Sequence, residues 1–366
     1  MAVDLRHLMP VRRQMQRNGT DLSKNELIHP RADEVLRAVG RALSPQMLRH
    51  YPATAESAAL LAAYFGTDTD HLVLTPGSDA AIRLVCEYHR RTTQGSGTVL
   101  LQDPNYPAWA DTARLLGLPL RRMTLDDGDL AGQQRRLLHA ARTTANALVA
   151  VSVPNGPAGG VLSPAALTEL CELAQERRHL LVLDSCYQAF HGPLTEQVAR
   201  AGDRVLVVQS LSKSHALAGS RIAVLIGAPE LIGGLAAGPL EHAVSGTSLL
   251  ASRVAVEHHE VFQDVWDEIR QMRTRAAEML HGLGHAPLPS GGNFITVPLG
   301  RAQRAAACAA RLADAGYSVC DLSDVPGLTG CVRFTVADGG TTELFLPVLR
   351  RVVVEAPLAP PPVHAP

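Results

Sequence analysis

The sequence predicts an α/β protein: a large unit with a mainly parallel sheet, followed by a smaller α/β unit. Three observations carry that expectation. Apolar runs of strand length recur at 72–74, 99–101, 148–153, 180–183, 205–208 and 222–226, and helical patterns lie between them. Strands alternating with helices imply crossover units and hence a parallel sheet. Several of these runs end in residues able to do chemistry, and the strand ends of doubly wound sheets are where ligands collect. Finally, 366 residues exceed the roughly 100–200 of one ordinary domain. The expected division is an N-terminal arm over 1–35, a large domain over 36–258, a small C-terminal domain over 259–354 and a proline-rich disordered tail over 355–366.

Composition narrows the partners. Lys and Arg total 34 against 35 Asp and Glu, so nothing favours nucleic acid or an anionic membrane surface. No apolar run approaches the ~20 residues that span a bilayer, and Met-Ala-Val-Asp-Leu-Arg-His lacks the basic start and apolar stretch of a signal peptide. A cytoplasmic protein is expected. The six cysteines contain no C-x-x-C pair and lie mostly in apolar periodic segments, as small core residues do. No metal site is expected either, because no H-x-x-x-H stands beside a glutamate in a helical pattern.

The chain is organised around Gln209-Ser210-Leu211-Ser212-Lys213-Ser214-His215-Ala216-Leu217-Ala218-Gly219-Ser220-Arg221, a connection between two buried runs. Lys213 and Arg221 stand there among hydroxyls and aliphatics. Desolvation disfavours an ammonium, and a neutral lysine forms a Schiff base with a carbonyl. Ser210, Ser212 and Arg221 would make a phosphate cradle. Together these point to pyridoxal 5′-phosphate; the alternative is a solvated loop whose cations face water.

This stretch resembles the Schiff-base motif S-x-S-K-x-x-x-L-A-G-x-R of fold-type I pyridoxal-phosphate enzymes, and within them the histidinol-phosphate aminotransferase-like branch of class I/II aminotransferases. The other motifs of that family recur in order over roughly residues 20–340. Thr75-Pro76-Gly77-Ser78-Asp79 resembles its phosphate loop, with Gly77, Ser78 and Asp79 at the start of a helix whose free N–H groups suit an anion. Asp103-Pro104-Asn105-Tyr106 carries the tyrosine that the resemblance assigns to stacking on the cofactor. Asp184-Ser185-Cys186-Tyr187 matches D-E-x-Y, which gives Asp184 to the pyridine nitrogen and Tyr187 to the cofactor, with Ser185 in place of Glu. Val332-Arg333-Phe334-Thr335 implies that Arg333 grips the substrate α-carboxylate.

Weaker matches are Asn25 in the arm and Asn293 in Ser290-Gly291-Gly292-Asn293-Phe294, both implied to lie at the substrate. Tyr51 in Arg49-His50-Tyr51-Pro52 resembles a tyrosine that reaches the cofactor of the neighbouring subunit, which implies a homodimer. The sharpest departure is Pro154-Asn155-Gly156-Pro157, where the family has two asparagines and the second bonds the cofactor's ring oxygen. Losing that donor should raise the titration of the cofactor imine unless Asn155 or water replaces it, and Gly156 should open space beside the ring.

The resemblance implies an aminotransferase acting on an α-amino acid or related amine, through a Lys213 Schiff base and a pyridoxamine intermediate, with a keto acid as second substrate. The same scaffold serves decarboxylases, oxidases, cyclases and β- or γ-substitution enzymes, so a non-transaminating enzyme is the alternative. A cofactor-binding sensor is a third, disfavoured by the intact lysine.

Overall fold

The computed structural model describes residues 19–192, 202–236 and 242–355. The arm opens with a two-residue strand, β1 (Thr20–Asp21). The main sheet is built from β2 (Leu72–Thr75), β3 (Val99–Asp103), β4 (Leu120–Thr124), β5 (Leu148–Ser152), β6 (Leu180–Asp184), β7 (Val205–Ser210) and β8 (Ala223–Gly227). Its order is β2-β8-β7-β6-β5-β3-β4. Pairs from β4 through β3, β5 and β6 to β7 are parallel, while β8 runs antiparallel to both β7 and β2. The reversal has a local cause. The chain from β7 to β8 makes only short helical turns and no crossover helix, so it returns alongside in the opposite sense.

Continuous apolar runs are explained by burial on both faces. Val149, Val151, Leu181, Leu183, Val205 and Val207 pack to one side, and Leu148, Ala150, Leu180, Val182, Leu206 and Val208 to the other. Each buried aliphatic side chain contributes about 1.5–3 kcal/mol. Helices Ser78–Thr92 and Pro107–Leu115 supply Ile82, Val85 and Trp109 to the second layer. Helix Pro164–Glu176 starts where its sequence indicates, with Ser163 as cap accepting from the Ala166 N–H, and buries Leu167, Leu170 and Leu173 on the first layer.

Helices Gly246–Glu257 and His259–Gly282 meet at His258. The glycine-rich residues 233–236 belong to helix Pro229–Ala236, where Leu231, Ile232 and Leu235 are buried. Beyond them lie β9 (Phe294–Pro298), β10 (Tyr317–Ser318), β11 (Cys320–Asp321) and β12 (Cys331–Thr335). The order β11-β12-β9 forms an antiparallel sheet.

The arm is fastened to this part of the chain through a separate two-stranded parallel sheet and a bond to β12. β1 pairs with β10, and Leu22, 1 % exposed, accepts from the Thr335 N–H at 2.7 Å. The last helix, Gly339–Glu355, packs on both Ala302–Asp314 and His259–Gly282. The expected tail past 355 and the first 18 residues of the arm lie outside the described residues. All six cysteines are unpaired thiols. Among the described residues no helix is long and apolar enough to cross a membrane.

Candidate active site

Strand register gathers the distant motifs. Thr75 lies opposite Ala223, and Ala223 opposite Ser210, so the ends of β2 and β7 meet the start of β8. Gly77 caps helix Ser78–Thr92 with φ 86°, in the left-handed region that favours glycine. A Cβ there would stand 2.6 Å from Nη2 of Arg221. Arg221 is itself left-handed (φ 54°) and donates from Nη2 to Asp79 Oδ2 at 2.9 Å. Ser210 Oγ donates to Ser212 Oγ at 2.8 Å, with both residues under a tenth exposed. Tyr106, half exposed above this corner, has its phenol pushed up by burial and by the hydrogen bond and charge of Asp79.

Lys213 stands on a single helical turn, Leu211–Ser214. Its Nζ donates to the Lys24 carbonyl at 2.7 Å. Burial pushes the amine from 10.5 down to about 8; the Glu26 carboxylate opposes this, and the Arg333 and Arg221 guanidinia add to it. The electrostatic neighbourhood is therefore that of a lysine prone to lose its proton.

Asp184 ends β6, opposite Ser152 of β5, and is 5 % exposed. Its Oδ2 accepts from Trp109 Nε1 at 3.2 Å and its Oδ1 from the Cys186 N–H at 3.4 Å. Burial raises its pKa, and among the described residues no cationic side chain pairs with it. A buried carboxylate without a cation is costly, so a protonated ring nitrogen suits this position. At the other end, Gly77 leaves room for Arg221 beside a helix start and two serine hydroxyls, a donor set suited to a phosphate. The residues present fit pyridoxal 5′-phosphate.

Two expectations need correction. The room expected beside Gly156 is filled, because a Cβ there would come within 2.9 Å of Tyr187 Cε2. Asn155 does not replace the missing donor: its Nδ2 donates to Gln102 Oε1 at 3.0 Å and the Pro104 carbonyl at 2.9 Å, its Oδ1 accepts from the Ala158 N–H, and it is 1 % exposed. It is a latch between the loops after β3 and β5. Asn25 and Asn293, expected at the substrate, are buried and tie the arm down. Asn293 Nδ2 donates to the Asn25 carbonyl, and Asn25 Nδ2 to the Tyr187 hydroxyl, both at 3.0 Å.

Arg333, on β12, donates from Nη2 to the Ser23 carbonyl at 2.6 Å and lies over the Phe294 ring, 5.6 Å from its centroid. Its Nε is buried without a partner, and among the described residues no carboxylate pairs with it. Tyr51 is 83 % exposed, stacked on His242, and makes no part of this site within one chain. Sequence inspection missed Trp109, Gln102, Thr335 and the Lys24 carbonyl. Trp109 alone had a local signal, three positions after Tyr106 on the same helix start.

Fold and site together define a fold-type I α/β enzyme built to hold pyridoxal 5′-phosphate. A profile of the aminotransferase class I and II family matches residues 17–352. The chain belongs to that family, and it is a pyridoxal-phosphate-dependent aminotransferase. It is 31 % identical over 309 residues to a histidinol-phosphate aminotransferase of Xanthomonas campestris pv. campestris, covering 80 % of this chain and 81 % of the relative. It is 26 % identical over 283 residues to that of Sulfurisphaera tokodaii, covering 76 % and 78 %. The fold matches the histidinol-phosphate aminotransferase of Sinorhizobium meliloti in complex with pyridoxal-5′-phosphate with TM-score 0.75 at 23 % identity, covering 93 % of this chain and 92 % of that one. It also matches an L-threonine-O-3-phosphate decarboxylase of Porphyromonas gingivalis with TM-score 0.74 at 20 % identity, covering 91 % and 98 %.

Proposed function

We propose that Lys213 is the amine that holds the cofactor and moves the substrate's proton, and that the amino donor is an α-amino acid or a related amine carrying an anionic group. One observation carries this: a lysine whose burial brings its amine to about 8 lies within the field of Arg333, a guanidinium that among the described residues has no carboxylate partner. The bound cofactor would supply an electron sink for the charge left on Cα. Gly77, Ser78, Ser210, Ser212 and Arg221 would hold its phosphate, Asp184 its ring nitrogen, and Tyr187 and Tyr106 its ring. The released amine of Lys213 takes the Cα proton as general base and returns it as general acid.

Arg333 grips the anionic group through two parallel hydrogen bonds and so fixes which Cα bond is presented. An α-carboxylate suits that fork, and so does the phosphate of histidinol phosphate, the compound in the relatives' name. The division at about residue 258 then separates a cofactor-holding part from a part that brings Arg333. A homodimer in which Tyr51 reaches the partner's cofactor is supported by its exposure beside Leu48, 78 % exposed, and Leu43, 47 % exposed. Unpaired thiols support a reducing compartment such as the cytoplasm.

The test is to add L-amino acids and L-histidinol phosphate singly to the holoenzyme without keto acid and to follow its absorption. Conversion of the bound cofactor to its amino form with one equivalent of carbonyl product is expected. Carbon dioxide release, or repeated turnover with no acceptor, would overturn the proposal.

A further inference from the structure

A string of polar groups runs behind the Lys213 turn, and none of them belongs to the site described above. Ser214 Oγ lies 2.8 Å from His215 Nδ1, His215 Nε2 lies 3.2 Å from the Tyr64 hydroxyl, and that hydroxyl lies 3.1 Å from His259 Nδ1. His215 is 1 % exposed and fenced by Phe262 and Trp266. Burial pushes its ring down to about 3, so it stays neutral. Trp266 Nε1 adds a hydrogen bond at 2.6 Å to the Ser214 carbonyl.

One helical turn cannot hold itself, since a first turn orders several residues for a single hydrogen bond. Ala216, next along, is left-handed at φ 55°, a strained position for a residue with a Cβ. The orientation of Lys213 therefore depends on ties from outside the turn. Each hydroxyl has one hydrogen, and each neutral imidazole has one N–H. If His259 donates to Tyr64, Tyr64 donates to His215 Nε2, His215 Nδ1–H donates to Ser214, and Ser214 is left to donate to the Ser210 carbonyl, 3.4 Å away. That order uses every contact in the string. The reverse order leaves the last one unmade, so the inward order is favoured and its end lies on the strand that carries the cradle serine.

We propose that His215, with Tyr64 and His259 behind it, is a positioning residue that fixes the Lys213 turn through hydrogen bonds to Ser214. The proposal rests on Lys213 being the reacting amine.

The experiment compares His215→Phe, His215→Asn and Tyr64→Phe, read by kcat, KM and the rate at which cofactor-free protein captures pyridoxal 5′-phosphate. Phenylalanine keeps the ring packing and loses the hydrogen bonds; asparagine does the reverse at the Nδ1 position. His215→Phe should lower kcat and the capture rate about tenfold with KM within twofold, since small misplacements of a reacting group cost this much. Tyr64→Phe should do the same to a lesser degree, and His215→Asn should stay within about threefold of wild type. The opposite order, asparagine impaired and phenylalanine normal, would reduce His215 to packing and overturn the proposal, as would three unimpaired variants. Lys213→Ala is the control for the underlying assignment. If it retains turnover, the lysine assignment fails; if it is inactive while His215→Phe is normal, only the positioning role fails.

Discussion

The amine of Lys213 offers the most direct test, because burial and the Glu26 carboxylate pull it in opposite directions while Arg333 sides with burial. Burial brings it from 10.5 to about 8. At pH 7 the neutral fraction is then roughly a tenth instead of about 0.03 %, a gain of about 300-fold in the form that attacks a carbonyl. Glu26 is the strongest charge acting against this shift, and Arg333 the strongest charge assisting it. Glu26→Gln should move the midpoint down and Arg333→Gln should move it up. The assay is the pH dependence of acylation of Lys213 in cofactor-free protein, with the modified peptide quantified by mass spectrometry. A wild-type midpoint near 10.5, or both variants moving the same way, would refute the reasoning. The linkage has a definite sign. Between about 8 and 10.5 the unfolded chain keeps a proton that the folded chain has lost, so cofactor-free protein gains stability as pH rises through that window. Below about 8 the full cost of burying the ammonium is present.

Three further outcomes follow from the geometry. Gly77→Ala places a Cβ 2.6 Å from Arg221 Nη2 at a positive φ, so cofactor affinity should fall about tenfold in a fluorescence titration; unchanged affinity would remove Arg221 from the cradle. Trp109→Phe deletes one side-chain donor to Asp184, leaving that of Cys186, and should cost about 1.5–3 kcal/mol by denaturant unfolding where Asp184 is charged. Since that bond favours the charged carboxylate, the cost should shrink as acid protonates Asp184, and a pH-independent loss would refute it. Gly156→Asn restores the family residue but drives a Cβ to within 2.9 Å of Tyr187, so it should destabilise by about 1–3 kcal/mol, and a higher melting temperature would contradict that packing.

The sequence alone determined six of the seven strands of the main sheet, their burial and the chemical types at their ends; β4, Leu-Arg-Arg-Met-Thr, is largely uncovered and gave no apolar run. Val205 to Val208 is apolar at every position because both faces of β7 are covered, and that demand is written residue by residue. Ser163 before Pro164 marked a helix start for an equally local reason, since the cap and the N–H it satisfies are three residues apart. The charge argument needed composition only, and the cysteine and membrane arguments needed only spacing and run length along the chain.

Only the tertiary structure decided how the side chains are employed. Trp109 reaches Asp184 across 75 residues, Asn25 reaches Tyr187 across 162, and Lys213 reaches the Lys24 carbonyl across 189. Sheet order and the path of the arm set these contacts, and neither leaves a periodic or local trace in the chain. Gly156 shows the difference clearly. Its identity indicated a missing donor and an open space, yet the space belongs to a ring 31 positions later, placed by the packing of Tyr187 against Phe294. Local physics fixes what each residue is able to do, whereas the partners that make it do so arrive through close packing of elements distant in sequence.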